Sequence, residues 1–430
     1  MKIACLIPGG LGGTQKAAWL YAEGLANRGN DVVGFSPSRP SVPTLVIPRL
    51  RVETIQQDSD AFCHIADGKF DALHTHMPGF YTKDPLHDFL RRLGPKRPRV
   101  VETNVFGRLQ DRRADGVTDF RLFISMTSAC QAASRKWKTV RSLDHCNVAR
   151  YPVLPAPVFS QQARSEIRKE LGVAEEEVLA LRLGRPDPAK WTNFECLSTK
   201  SLLSGCHGRL KLLLIEPPKD LRGRVEQGEY GRGIIVRDLE RDPSTVARLI
   251  DACDVIFHAA RFGESFGYAI AEGMAAGKPV ITRTTPYGDN AQIELVENGV
   301  SGFVCCSEEG AVAGLKCLVE NDELRASMGQ SAKDRILSLA DYQTECQILE
   351  AALSHNTAVL SSRWKRVIEY SDAFKERQWD VIEKTHAKRV PNALSILSRE
   401  RSYSRRQELR KALGGVRAEI RALLGLPSYK

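Results

Sequence analysis

The sequence predicts two doubly wound α/β domains facing one another across a cleft, followed by a helical C-terminal extension. Three observations predict it. Short apolar runs alternate with helical stretches, the pattern of parallel β-α-β construction. The proline-rich stretch Pro155-Ala156-Pro157 interrupts that alternation, which then restarts. At 430 residues the chain is too long for one ordinary core, and 42% hydrophobic content suits a globular protein. The expected domains are residues 1–155, 156–338 and 339–430.

In the first domain, residues 2–8 read as a strand, 14–28 as a helix and 31–36 as a second strand. Further short strands fall at Leu45-Val46-Ile47, Ala72-Leu73-His74, Arg99-Val100-Val101, Leu122-Phe123-Ile124 and from Asn147 to Val153. In the second domain the expected strands are 178–183, 210–215, 233–236, 255–258 and 279–282. Helices fall near 191–204, 243–252, 267–277, 308–320 and 322–338. Beyond residue 339 the chain reads as helices without clear strands. A helix near 339–359 is expected to cross back onto the first domain, and Trp364, Val367, Ile368, Ser371 and Phe374 keep helical spacing until Pro391.

Composition narrows the function classes. No run of about 18 apolar residues is present, so no spanning helix is expected. The apolar N-terminus runs straight into a glycine loop and reads as a first buried strand, not a signal peptide. The eleven cysteines are scattered, with no Cys-x-x-Cys pair; Cys5, Cys206 and Cys253 read as buried thiols of a reducing, cytoplasmic compartment. The net charge is +10, but from Ser361 onward 17 Lys and Arg stand against 8 Asp and Glu. The tail thus carries +9 and the rest of the chain +1, so nucleic-acid binding by the whole protein loses most of its support.

The most informative segment runs from Arg261 through Glu264-Ser265-Phe266-Gly267-Tyr268 to Glu272. One glutamate lies in a glycine-containing loop after a strand, the other inside the following helix. The start of that helix, at Ser265, Phe266, Gly267 and Tyr268, offers free N–H groups and a positive dipole end suited to a diphosphate. The Glu264 carboxylate could hold sugar hydroxyls, and Glu272 could accept from a ribose diol. Gly273, Ala275, Ala276 and Gly277 let the helix pack closely on a sheet.

This segment resembles glycosyltransferase family 4, the retaining group with the GT-B fold of two Rossmann-like domains. Glu264 and Glu272 match that family's Glu-x7-Glu motif, and the likeness continues through Ala276-Gly277-Lys278-Pro279-Val280-Ile281 and from Ile293 to Val304. The resemblance covers roughly residues 1–350. It implies that Arg185 and Lys190, in Leu183-Gly184-Arg185-Pro186-Asp187-Pro188-Ala189-Lys190, touch the donor diphosphate, where fixed cations stabilise the departing charge. It implies that Gly12 and Gly13 let the backbone approach the donor sugar phosphate; many members carry an acidic residue where this chain has Gln15. It also implies that His76, ending Asp71-Ala72-Leu73-His74-Thr75-His76, faces the cleft near the transferred sugar. Asn104, at the end of the next strand, is a candidate for the acceptor side.

The partners implied are a nucleotide-diphosphate sugar as donor substrate and an unidentified acceptor hydroxyl, with no cofactor and no metal. Asp67 and Asp71 flank a turn and Asp111 and Asp115 lie in a charged loop, so no convincing metal-binding Asp-x-Asp is read at a strand end, and the resemblance implies metal-independent transfer with retention by front-face displacement. Rival readings are a sugar-nucleotide epimerase or a phosphorylase of similar fold, and a non-catalytic GT-B-fold protein that binds a nucleotide or polyanion. A dehydrogenase would need a glycine at Gln15 and an acidic residue after Phe35-Ser36. His74-x-His76 has no evident carboxylate or cysteine partners for a metal. Three readings of the tail stay open: a packed appendage with a solvated basic face, a peripheral contact with an anionic membrane surface, or, third, binding of a polyanion, nucleic acid included.

Overall fold

The computed structural model describes residues 1–10, 12–37, 47–56, 58–80, 82, 84–109, 112–135, 145–188, 190–204, 209–238, 243–285, 288–363 and 365. The chain divides into two units, Met1–Ser371 and Asp372–Lys430. The second lies outside the described residues, as do the expected helical run from Trp364 and the thiol Cys206.

The first lobe is a seven-stranded parallel sheet of order β3-β2-β1-β4-β5-β6-β7. Its strands are β1 Lys2–Leu6, β2 Asp31–Ser36, β3 Leu50–Thr54, β4 Ala72–Met77, β5 Arg99–Asn104, β6 Phe120–Phe123 and β7 Cys146–Val148. Its helices are α1 Gly13–Asn27, α2 Asp58–Asp67, α3 Leu86–Leu93 and α4 Met126–Arg135. Central strands are buried on both faces; β1 reads as a near-continuous apolar run, while β4 also buries the polar His74, Thr75 and His76.

The second lobe is a six-stranded parallel sheet of order β10-β9-β8-β11-β12-β13. It comprises β8 Val178–Leu183, β9 Leu210–Ile215, β10 Ile234–Arg237, β11 Val255–His258, β12 Val280–Arg283 and β13 Gly302–Cys305. Helices α5 Gln161–Glu170, α6 Phe194–Ser204, α7 Lys219–Glu226, α8 Pro243–Ala252, α9 Tyr268–Ala275, α10 Gln292–Leu295, α11 Glu308–Glu320 and α12 Asp322–Leu339 surround it. In both sheets the strand order reverses beside the first strand, the place where doubly wound sheets open a ligand crevice at their carboxyl ends.

The chain passes between the lobes twice. It leaves the first lobe after β7 and returns at Ala340, where the Val153 amide donates to Ala340 O at 3.0 Å. Helix α13, Tyr342–Leu353, then packs on the first lobe with Ile348 and Leu349 buried. Glu350 accepts from Arg28 and Asn30, and Arg99 Nε donates to Ala352 O. Leu360 is buried too, and Arg363 pairs with the fully buried Glu345 at 2.6 Å. Residues up to 363 therefore belong to the first lobe's packing.

Some elements differ from expectation. Leu45 and Val46 lie outside the described residues and Ile47 is not in a strand; the third strand is β3 at Leu50–Thr54. Its sequence Leu-Arg-Val-Glu-Thr occupies a sheet edge and is half exposed, so no apolar run announces it. The strand expected from Asn147 to Val153 ends at Val148, and Val153 forms only an isolated parallel bridge with Asp341. Helix α5 buries only Arg168, so an apolar stripe was absent from its sequence. Among the described residues no helix is long and apolar enough to cross a membrane.

Candidate active site

The site is built around the turn between β11 and α9. Gly263 has φ +72°, and a Cβ there would collide with Asp289 O; Gly267, at φ +98°, is the left-handed N-cap of α9. Only glycine takes both positions without strain. The turn places Glu264 at the carboxyl end of the sheet. Its Oε2 accepts from Lys190 Nζ at 2.7 Å and its Oε1 lies 3.0 Å from His258 Nε2. Its amide donates to Gln292 Oε1 at 3.0 Å, and Lys190 Nζ also donates to Gly263 O. Burial pushes the Glu264 carboxyl up, but the Lys190 ammonium and His258 outweigh it and hold it down at about 2. The carboxylate is thus ionised and fixed on both oxygens.

Behind it lies a polar cluster that the sequence analysis did not single out. Arg182, 1% exposed, reaches His258 Nδ1 at 2.8 Å and Glu195 Oε1 at 2.8 Å, with its guanidinium over the Trp191 ring. Burial, with Arg182 adding to it, lowers the His258 imidazole to about 4, so the ring is neutral at pH 7. The available signal was a polar residue inside each of two otherwise apolar strands, Val178–Leu183 and Val255–His258.

The first lobe approaches this turn through its glycine loop. A Cβ on Gly13 would lie 2.7 Å from Tyr268 Cδ2, and one on Gly12 would lie 4.0 Å from Arg185 Nη1. Tyr268 is pinned: its hydroxyl donates to Pro152 O at 2.9 Å and its ring stacks on Tyr151. Glu272, on α9, accepts from Lys16 Nζ of α1, whose ammonium also lies over the Tyr268 ring. The structure therefore brings together Gly12, Gly13, Arg185, Lys190, Glu264, Tyr268 and Glu272. Arg185 is exposed, and its carbonyl accepts from Trp191 Nε1.

Other candidates are placed differently. The Phe266 ring is buried between Tyr151 and Tyr268, so only its backbone can serve a ligand. Ser265 is buried and its hydroxyl donates to Asp289 Oδ2. Asn104 is fully buried; its Nδ2 donates to Arg108 O and Glu102 Oε1, and its Oδ1 accepts from the Arg108 amide. Its amide clamps the following turn and leaves nothing for an acceptor. His76 is nearly buried against Tyr21, His74 and Tyr151, and neither ring nitrogen has a hydrogen-bond partner. Burial lowers its imidazole to about 3. Among the described residues no group of three or more His, Cys, Asp or Glu is arranged to hold a metal ion.

Residues 164–335 match the family described as glycosyl transferases group 1. No curated protein matches. Solved structures similar to the chain include HepE of Anabaena in complex with UDP, at 19% identity and TM-score 0.64, covering 83% of this chain and 100% of that one. They also include WaaG, a glycosyltransferase involved in lipopolysaccharide biosynthesis, at 15% identity and TM-score 0.57, over 82% and 98% of the two chains. Sucrose-phosphate synthase from Thermosynechococcus elongatus aligns at 16% identity and TM-score 0.61, over 83% and 99%. The chain thus shares the two-lobed GT-B fold of these structures. Its second lobe carries the group 1 domain.

Proposed function

We propose that the protein moves a sugar from a nucleoside-diphosphate sugar to an acceptor hydroxyl, with retention at the anomeric carbon and without a metal ion. One observation carries this reading: the ionised Glu264, held by Lys190 and His258, lies in the turn into α9, and Tyr268, the first residue of that helix, meets Gly13 of the other lobe. The N–H groups opening α9 suit the diphosphate. Lys190 has a third ammonium proton for it beyond those given to Glu264 and Gly263, and Arg185 lies at the glycine loop. As the glycosidic bond to phosphate breaks, charge grows on the leaving diphosphate, where these groups act. The acceptor hydroxyl attacks from the same face and passes its proton to the leaving phosphate oxygen, so no protein base is needed. Glu264 holds sugar hydroxyls and Glu272 the ribose diol. Glycan or glycoconjugate synthesis is the setting such a reaction fits.

HepE was solved with UDP and with UDP-glucose, which makes uridine donors the first to test. A thermal-shift screen against UDP-, GDP-, ADP- and dTDP-sugars should give one strong stabilisation. Proton NMR of the product from that donor should show the donor's anomeric configuration retained, in the presence of chelator. An inverted product, or activity lost to chelator and restored by metal, refutes the mechanism. No stabilisation by any sugar nucleotide refutes the donor reading.

A further inference from the structure

Binding a donor does not by itself require the buried polar groups behind Glu264, yet they are arranged with a definite polarity. Arg182 occupies the apolar strand β8, and a guanidinium carries only donors. The His258 Nδ1 it contacts at 2.8 Å must therefore be the unprotonated, accepting nitrogen. In the neutral ring the proton then sits on Nε2, 3.0 Å from Glu264 Oε1. Arg182 Nη2 also donates to Lys190 O at 3.3 Å, so one guanidinium braces both residues that grip the Glu264 carboxylate. Glu195 Oε1 lies 2.8 Å from Arg182 Nε and accepts from the Ala259 amide, which anchors the arginine in turn.

We propose that Arg182 and His258 are positioning residues for Glu264: Arg182 fixes His258 as the Nε2–H tautomer, and that N–H sets the direction in which the carboxylate faces the donor sugar. Each carboxylate oxygen has two lone pairs, and His258 and Lys190 occupy one on each. The two that remain point in fixed directions, a geometry suited to neighbouring hydroxyls of one sugar ring. The assignment rests on the reading of Glu264 as a sugar-binding carboxylate.

The test uses the full chain. Binding of UDP-glucose and of UDP is measured by calorimetry for the wild type, His258→Phe and His258→Gln, and 15N NMR of the imidazoles reports the His258 tautomer. The expected pattern is a proton on Nε2 and none on Nδ1. His258→Phe should lose about tenfold in UDP-glucose affinity while UDP affinity stays within about twofold, because UDP has no sugar for Glu264 to hold. His258→Gln, whose amide can donate from nearly the same place, should recover most of the loss. Equal losses for UDP and UDP-glucose, no loss at all, or a proton on Nδ1 overturns the proposal. A wild type that binds UDP-glucose no better than UDP overturns the sugar-binding reading of Glu264, and the NMR pattern on that same protein still decides the tautomer even if His258→Phe fails to fold.

Discussion

Glu294 and Thr127 join the two lobes. Glu294 lies on α10 of the second lobe, and its Oε1 accepts from the Thr127 amide at 2.6 Å and from the Thr127 hydroxyl at 2.8 Å. Its Oε2 accepts from the Met126 amide at 3.0 Å and lies 3.5 Å from Arg150 Nη2. A carboxylate from one lobe thus closes the first turn of α4 in the other, where the amides have no helical partners. Both residues are buried, so water does not compete for these bonds.

Removing this carboxylate should destabilise the protein. Glu294→Ala leaves two amides and a buried arginine without their acceptor, a loss of about 3 kcal/mol. Glu294→Gln keeps an acceptor and should lose less. Urea unfolding of the three proteins checks it; a loss below about 0.5 kcal/mol for Glu294→Ala would mean that other groups satisfy α4.

Glu272 and its partner should separate in their effects. Glu272→Ala removes the acceptor assigned to the ribose diol and should weaken UDP binding by about 1–3 kcal/mol. The Lys16–Glu272 pair is partly exposed, with Lys16 about half so, and such pairs contribute about 0–1 kcal/mol. Lys16→Ala should therefore leave UDP affinity and thermal stability unweakened. Calorimetric titration with UDP decides both; parallel losses in the two variants would show that the pair, not the carboxylate, matters.

Lys190 should govern the acid side of the pH profile. Burial raises the Glu264 carboxyl, and Lys190 with His258 lowers it to about 2 from an ordinary 4.5. A depressed carboxyl contributes stability that is present above pH 4.5 and lost as pH falls toward 2. In Lys190→Met the opposing charge is gone, so the carboxyl rises and the acid limb of kcat/KM moves toward neutral pH. Turnover should fall by a larger factor than donor affinity, and the same split is expected for Arg185→Ala. An acid limb unmoved in Lys190→Met would show that Glu264 does not titrate in catalysis.

The meeting of the glycine loop with Tyr268 gives a steric test. Gly13→Ala places a methyl 2.7 Å from a ring pinned by Pro152 and Tyr151. Approach of the lobes is hindered while each lobe keeps its fold, so kcat/KM should fall about tenfold with Tm unchanged. Wild-type kcat/KM would show that the lobes need not meet at this contact.

The basic tail calls for a cut chosen from the fold. Ending the chain near Asn356 would remove Leu360 and Arg363, which pack against the first lobe. A chain ending at Ser371 keeps that unit whole. If the basic segment beyond Ser371, where 14 Lys and Arg stand against 7 Asp and Glu, contacts an anionic membrane, the full chain co-sediments with anionic vesicles at low salt, releases at high salt, and the shortened chain stays in solution. No sedimentation of either chain at low salt refutes the membrane contact.

The sequence by itself determined the two parallel sheets, the turn that carries Glu264 and the helix that carries Glu272. Buried parallel strands are short apolar runs, and a glycine-bearing turn into a helix is local, so both leave their mark within a few residues. It did not determine β3, whose edge position leaves it half polar, or the commitments of Asn104 and Phe266, which depend on what packs around them. Nor could it join Arg182 to His258, Lys16 to Glu272 or Glu294 to Thr127, partners separated by 76, 256 and 167 residues. Those pairings arise only when two lobes fold and meet, because a hydrogen bond is decided by distance in space, and spacing along the chain carries no trace of it.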